Sequence, residues 1–230
     1  MYYWINFQKK QMQITTAIFD MDGLLIDSEP LWYEAALESL SKFNIHINHQ
    51  EYYSSTGLRT KEFLEYWLGK FKVDFSHIPE TETDITNRVI QKVFEKGEMM
   101  HGVENAIQLT QQHHLKIGLA SSSPLSLINA VLKKTGLTEV FTVTCSAEHL
   151  PFGKPHPQVF IDCAHALGSK PVECICLEDS FNGLLAAKAA RMKCIVVPHP
   201  DHLHAEKWKL ADLTLASLEK LSAADLSALL

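Results

Sequence analysis

Short apolar runs without polar alternation place the strongest constraint on this chain. Thr16–Ala17–Ile18–Phe19 ends at Asp20, and Lys116–Ile117–Gly118–Leu119–Ala120 leads into Ser121–Ser122–Ser123. Val140–Phe141–Thr142–Val143–Thr144 is rich in β-branched residues. Cys174–Ile175–Cys176–Leu177 ends at Glu178–Asp179, and Cys194–Ile195–Val196–Val197 ends at Pro198. A strand with one wet face alternates apolar and polar residues, so unalternated runs suit strands covered on both faces. Helical periodicity fills the intervals. Val103, Ala106, Ile107 and Leu109 predict a helix over 102–113. Pro124 opens another with Leu125, Ile128, Val131 and Leu132 inward, and Gly136 lies near its end. Residues 157–167 form a third, with Val159, Phe160, Cys163, Ala166 and Leu167 inward and Gly168 as its stop. The alanine-rich stretch 182–190 forms a fourth. Strand and helix in repetition predict an α/β fold, a Rossmann-like three-layer core around a parallel sheet.

One stretch breaks the rhythm. No core-strand signal appears between the Asp20 strand and Lys116, and residues 30–97 read instead as helices over 31–43, 60–70 and 84–95, punctuated by Gly57, Gly69 and Pro79. The predicted organisation is a catalytic core from 12–29 and 98–230 with an inserted helical cap domain at 30–97. Both junctions must return to the same core, so they are expected side by side, where paired segments can act as a hinge.

At 230 residues, with 46% hydrophobic and 21% charged content, the chain has material for a real core. The net charge of −6 argues against nucleic acid as partner. Nothing approaches the run of about 18 apolar residues that a membrane span needs. The opening MYYWINFQKKQMQITT lacks the apolar stretch of a secretory signal, and residues 1–11 read as an extension. Cys145, Cys163, Cys174, Cys176 and Cys194 are an odd set with no disulfide spacing, and Cys174 and Cys176 would share one strand face as packed thiols. A cytoplasmic location is expected, with the chain a monomer or weak homodimer. The stretch His199–Pro200–Asp201–His202–Leu203–His204 lacks a zinc-ligand pattern and reads as structural or surface.

The chemistry lies at the strand tips, where open parallel sheets bind ligands. Asp20 and Asp22 follow the first strand, Ser121 the second, Glu178 and Asp179 the fourth, and Lys154 precedes the 157–167 helix. Converging carboxylates repel, and a hard dication such as Mg²⁺ relieves that repulsion with oxygen ligands. Ser121 and Lys154 suit a phosphate. In this arrangement Asp20 attacks phosphorus as nucleophile, and Asp22 protonates the leaving alcohol and then activates water. The Asp22 backbone carbonyl can join Asp20, Glu178 and Asp179 around the metal. Gly23 lets the chain bend beside the phosphate.

These residues carry a resemblance. F-D-M-D-G-L-L-I-D-S-E at 19–29, A-S-S-S at 120–123, G-K-P-H-P at 153–157 and L-E-D-S-F-N-G at 177–183 resemble, in order, the four motifs of the haloacid dehalogenase superfamily, in its phosphatase branch with a helical cap. The closer likeness is to bacterial sugar- and hexitol-phosphate phosphatases, including the 2-deoxyglucose-6-phosphatase group, with β-phosphoglucomutase relatives. The resemblance implies a Mg²⁺-dependent phosphatase acting on small sugar or polyol phosphates through an aspartyl phosphate. It implies Asp20, Asp22 and Lys154 as catalytic residues and Ser121, Ser122 and Lys154 as phosphate ligands. It also puts Thr56–Gly57–Leu58–Arg59 near the substrate, with Arg59 binding it. Two alternatives remain open. A phosphomutase would return the phosphoryl group to a sugar and require a bisphosphate. A phospho-accepting signalling module shares the Asp, acidic pair, Ser and Lys, but such modules are shorter and lack an inserted cap.

Overall fold

A computed structural model describes residues 13–53, 55 and 58–230. Residues 1–11, read above as an extension, and Thr56 and Gly57 lie outside the described residues. The core elements are β1 (Thr16–Phe19), α5 (Val103–Gln112), β2 (Lys116–Ser121), α6 (Leu125–Thr135), β3 (Val143–Ser146), α7 (Gln158–Ala166), β4 (Cys174–Glu178), α8 (Phe181–Ala189), β5 (Lys193–Val196), β6 (Leu213–Thr214) and α9 (Ala223–Leu229). Between β1 and α5 come α1 (Glu29–Ser41), α2 (His49–Tyr53), α3 (Thr60–Lys70) and α4 (Ile78–Lys96).

The strands form one parallel sheet in the order β3-β2-β1-β4-β5-β6. Both faces are covered, as the unalternated runs require. Ala17, Phe19, Leu119, Ile175, Leu177 and Ile195 pack on one side with the apolar stripes of α5 and α6. Ile18, Ala120, Cys174, Cys176, Cys194 and Val196 pack on the other with α7 and α8. All five cysteines are free thiols, and four of them are buried. The helices end where local chemistry dictates. Gly136 takes the left-handed conformation (φ 73°) at the end of α6, and Ser180 Oγ accepts the Gly183 N–H at 3.0 Å to open α8.

Several boundaries differ from expectation. The third strand begins at Val143, because only residues 143–146 pair with β2. Phe141 lies ahead of it, with its ring edge-on to Phe19 at 5.6 Å. Leu125 faces out at the first turn of α6, and Leu127 takes the inward place. Ala166 is exposed and Leu167 only partly buried, while Ala164 is fully covered. Helix α4 starts at Ile78, since Pro79 sits within its first turn, where a missing N–H costs nothing. The short α2, β6 and α9 have no counterpart in the sequence reading.

The segments entering and leaving the helical stretch run side by side, as expected. Ile26 bridges Met99, the Asp27 N–H donates to the Glu98 carbonyl at 3.0 Å, and the Met100 N–H donates to the Leu25 carbonyl at 3.0 Å. Helices α1 and α4 are laced by ion pairs, Arg88 to Glu38 at 2.6 Å, Lys92 to Glu38 at 2.7 Å and Lys96 to Glu34 at 2.6 Å. Trp67 of α3 is fully buried and donates to Ser55 Oγ at 3.0 Å. No helix among the described residues is long and apolar enough to cross a membrane.

Candidate active site

Sheet register builds the site. Phe19 pairs with Leu119 on one side and Leu177 on the other, so Asp20 emerges beside Glu178, with Ser121 at the neighbouring tip. The Asp20 N–H donates to the Leu177 carbonyl at 2.9 Å, which fixes this approach. Successive connections turn in opposite directions at β1 and β4, and the crevice at such a switch is where open sheets hold ligands.

Lys154 is nearly fully buried between acids. Its Nζ donates to Asp20 Oδ1 at 2.6 Å, Glu178 Oε1 at 2.7 Å and the Ala120 carbonyl at 3.1 Å, and it stands 4.5 Å from the centre of the Phe160 ring. Burial opposes the ammonium charge, but the two carboxylates outweigh it and hold the lysine above its ordinary pKa. Asp20 moves the other way. Burial pushes its carboxyl up to about 7 against the attraction of Lys154, with Glu178 and Asp22 adding to the rise. Asp179 is pushed well above its ordinary value by burial and then by Glu178 and Asp20.

Asp20, Glu178 and Asp179 each present an oxygen to one spot, all within 4.8 Å of one another. Three acids against one lysine is an arrangement a hard cation stabilises, so these donors fit Mg²⁺. Glu178 is the most heavily engaged. Its Oε2 accepts the Asp179 N–H, the Ser180 N–H and Ser180 Oγ, each at 3.0 Å, while Oε1 holds Lys154. Two glycines make room for the acids. A Cβ on Gly23, which has φ 72°, would overlap Asp179 Oδ2, and one on Gly183 would overlap the Glu178 carboxylate.

The Asp22 carboxylate turns away from this cluster. Its Oδ1 accepts Ser28 Oγ at 2.7 Å and Trp32 Nε1 at 2.9 Å, and its Oδ2 accepts Ser123 Oγ at 2.6 Å and Ser121 Oγ at 3.4 Å. Ser121 Oγ also accepts the Ser123 N–H at 3.0 Å, and Ser122 lines the same cavity. That cavity holds about 880 Å³ and is lined by residues of the strand tips together with Leu58, Phe63 and Ile85 from the helical stretch.

Arg59 lines the cavity wall, but its N–H groups are committed. Nε and one terminal nitrogen donate to Glu62 Oε1 at 3.0 and 2.7 Å. The Leu150, Pro151 and Ala147 carbonyls accept at 2.7, 3.3 and 3.4 Å. The arginine thus joins the start of α3 to the loop after β3. Its stem packs over Gly153, where a Cβ would lie 2.9 Å from it.

The sequence reading missed the hydroxyls that hold Asp22, Ser28 and Ser123, as well as Glu29. Ser28 and Trp32 stand four apart at the start of α1, a spacing that aligns side chains on one helix face and was the available signal. Glu29 lies within the quoted motif but drew no role. Its pKa rises to about 7, through burial and then the nearby Asp22 and Asp27.

A doubly wound sheet with acids, a lysine and hydroxyls gathered at its switch point defines a class of α/β enzyme that works outside its strand ends. The chain belongs to the haloacid dehalogenase-like hydrolases, whose family pattern matches residues 17–197. It is 43% identical over 215 residues to hexitol phosphatase B of Escherichia coli K12, covering 93% of this chain and 97% of that one. It is 28% identical to the fructose-1-phosphate phosphatase YqaB of the same organism, over 78% of this chain and 94% of the other. Among solved structures, β-phosphoglucomutase from Clostridium difficile superposes with a TM-score of 0.83 at 26% identity, over 94% of this chain and 96% of that one. These relatives mark the chain as a phosphoric monoester hydrolase.

Proposed function

We propose that this enzyme hydrolyses small sugar or polyol phosphate monoesters, with hexitol phosphates foremost, through a phosphoryl group carried on Asp20. The observation that carries the reading is the split between two aspartates two residues apart. Asp20 sits buried against Lys154, and Asp22 is held apart by Ser28, Trp32 and Ser123. Oδ2 or Oδ1 of Asp20 attacks phosphorus as the ester oxygen leaves, and Asp22 gives that oxygen a proton. Asp22 then takes a proton from the water that attacks the aspartyl phosphate, releasing inorganic phosphate and restoring the Asp20 carboxylate. Lys154, Ser121 and Ser122 bind the phosphoryl oxygens, and Lys154 offsets charge that builds as the bond changes.

Mg²⁺ would be held by Asp20, Asp179 and the Asp22 carbonyl, and would neutralise phosphate charge. Glu178, whose oxygens are already engaged, would reach the ion through water and position Lys154. We place residues 30–97 as a cap that closes the cavity and excludes bulk water, hinged where Ile26 meets Met99. In this scheme Arg59 clasps the cap to the core instead of gripping substrate. Five free thiols suit a cytoplasmic setting, and the enzyme is taken as a monomer or weak homodimer.

The test is phosphate release with Mg²⁺ from sorbitol-6-phosphate, mannitol-1-phosphate, 2-deoxyglucose-6-phosphate and β-glucose-1-phosphate. Turnover should vanish with EDTA and fall at least about a thousandfold in Asp20→Asn, while that variant keeps a cooperative thermal transition. Unchanged turnover in Asp20→Asn would remove the nucleophile assignment. The likeness to a phosphomutase favours one second reading. Isomerisation of β-glucose-1-phosphate that requires a bisphosphate, without phosphate release, would establish it.

A further inference from the structure

Glu29 Oε2 stands out among the described residues as a buried side-chain oxygen with no hydrogen-bond partner. Leaving such an atom unpaired is costly, so native proteins rarely keep one without a ligand to meet it. Glu29 opens α1, directly after Ser28, whose hydroxyl holds Asp22, and it lines the same cavity as Asp20, Asp22 and Lys154. Its carboxyl lies close enough to Asp22 for the charge on Asp22 to raise its pKa. Leu58, Phe63 and Ile85 line the same cavity, and none of them can pair with it.

From this geometry we infer that Glu29 is a specificity-determining residue whose free carboxyl oxygen accepts a hydroxyl of the departing alcohol. The inference rests on the phosphatase reading above and deepens it. An alcohol whose ester oxygen takes its proton from Asp22 departs into the cavity that Glu29 also lines, one residue beyond the Ser28 that holds Asp22. A polyol satisfies the unpaired oxygen, whereas a leaving group without hydroxyls leaves it unpaired on binding. Discrimination of this kind is strong, because a buried polar group rejects ligands that cannot bond to it. A cation at Glu29 is the competing occupant, and it would tie the residue to metal loading instead of to the alcohol.

The experiment compares kcat/KM for a hexitol phosphate with kcat/KM for phenyl phosphate, which carries no hydroxyl, in wild type, Glu29→Gln and Glu29→Leu. The hexitol-to-phenyl preference should fall about tenfold in Glu29→Gln and further in Glu29→Leu, with the loss residing mainly in KM for the hexitol ester. Inhibition by the free hexitol product should weaken in parallel. An unchanged preference overturns the inference, as does a loss that saturating Mg²⁺ restores. If the wild type releases phosphate from neither ester, the phosphatase reading fails and the inference goes with it. If the wild type hydrolyses both and the variants lose both equally, only the role of Glu29 fails.

Discussion

Lys154 is one cation facing Asp20, Glu178 and Asp179, and this imbalance has a measurable consequence in the metal-free protein. Asp20, raised to about 7 by burial, and Asp179, raised well above its ordinary value, both hold protons more tightly than free carboxyls. A metal needs them ionised, so Mg²⁺ must displace protons as it binds. The sign is fixed by the upward shift. Below about pH 7 Asp20 is largely protonated, so proton release should be greater and apparent affinity weaker at pH 6 than at pH 8.5. Titration calorimetry in two buffers of different ionisation enthalpy should show more protons released per Mg²⁺ at pH 6 than at pH 8.5. No release at pH 6 would mean that the dication does not use this cluster. The acids were legible in the sequence because each follows an apolar run, and strand tips of a parallel sheet converge by construction. The partners of Asp22 were legible only in part. The spacing of Ser28 and Trp32 puts both on one face of α1, but which hydroxyl or indole reaches Asp22 depends on how α1 sits over the strand ends. The same gap explains Arg59. Its place near the cavity was readable, but its carbonyl partners lie 88 to 92 residues away in the sequence.

At the scale of elements, α1 and α4 depend on charge as well as packing. Asp84 accepts Ser39 Oγ at 2.7 Å and pairs with Lys42 at 2.8 Å and Arg88 at 3.0 Å. Burial would raise its pKa, but these donors outweigh it and lower the group to about 2. A carboxyl depressed in the folded state stabilises above its unfolded pKa and loses that contribution as pH falls towards about 2. Asp84→Asn should therefore cost about 1 kcal/mol at pH 7, a figure reduced for solvent screening, and nearly nothing near pH 2. Denaturant unfolding at both pH values tests this, and an equal cost at both would assign the effect to packing. Element signals were clearest where the apolar run and the hydrogen-bonded ladder coincide, as in β1, β2 and β4. They misled at β3, because Val140 and Phe141 are apolar for packing and Phe141 serves the ring of Phe19 instead of the ladder. β6 pairs through two residues only, too short a run for any periodicity to reveal.

At the scale of the molecule, the question is what keeps the helical segment seated over the strand tips. The two covalent connections run side by side where Ile26 bridges Met99. Trp32 ties α1 to Asp22, and Arg59 ties α3 to the loop after β3, so two contacts from different helices meet the core. Arg59 is the stronger candidate for control of opening. Every N–H of its guanidinium is directed either to Glu62 of its own helix or to a core carbonyl, a fork that lysine or methionine cannot reproduce. Arg59→Met keeps much of the stem that packs on Gly153 while removing the fork. Removing the fork should speed hydrogen exchange across residues 147–153 about tenfold, the equivalent of losing about 1.4 kcal/mol of closure. KM should rise with it, because a cavity that spends less time closed holds its ester less well. Unaltered exchange with a raised KM would instead return Arg59 to direct contact with substrate, since a group that grips the ligand changes binding without loosening the loop. Exchange and KM moving together would make the clasp part of the working cycle, with product release dependent on breaking the bonds to the Leu150 and Pro151 carbonyls.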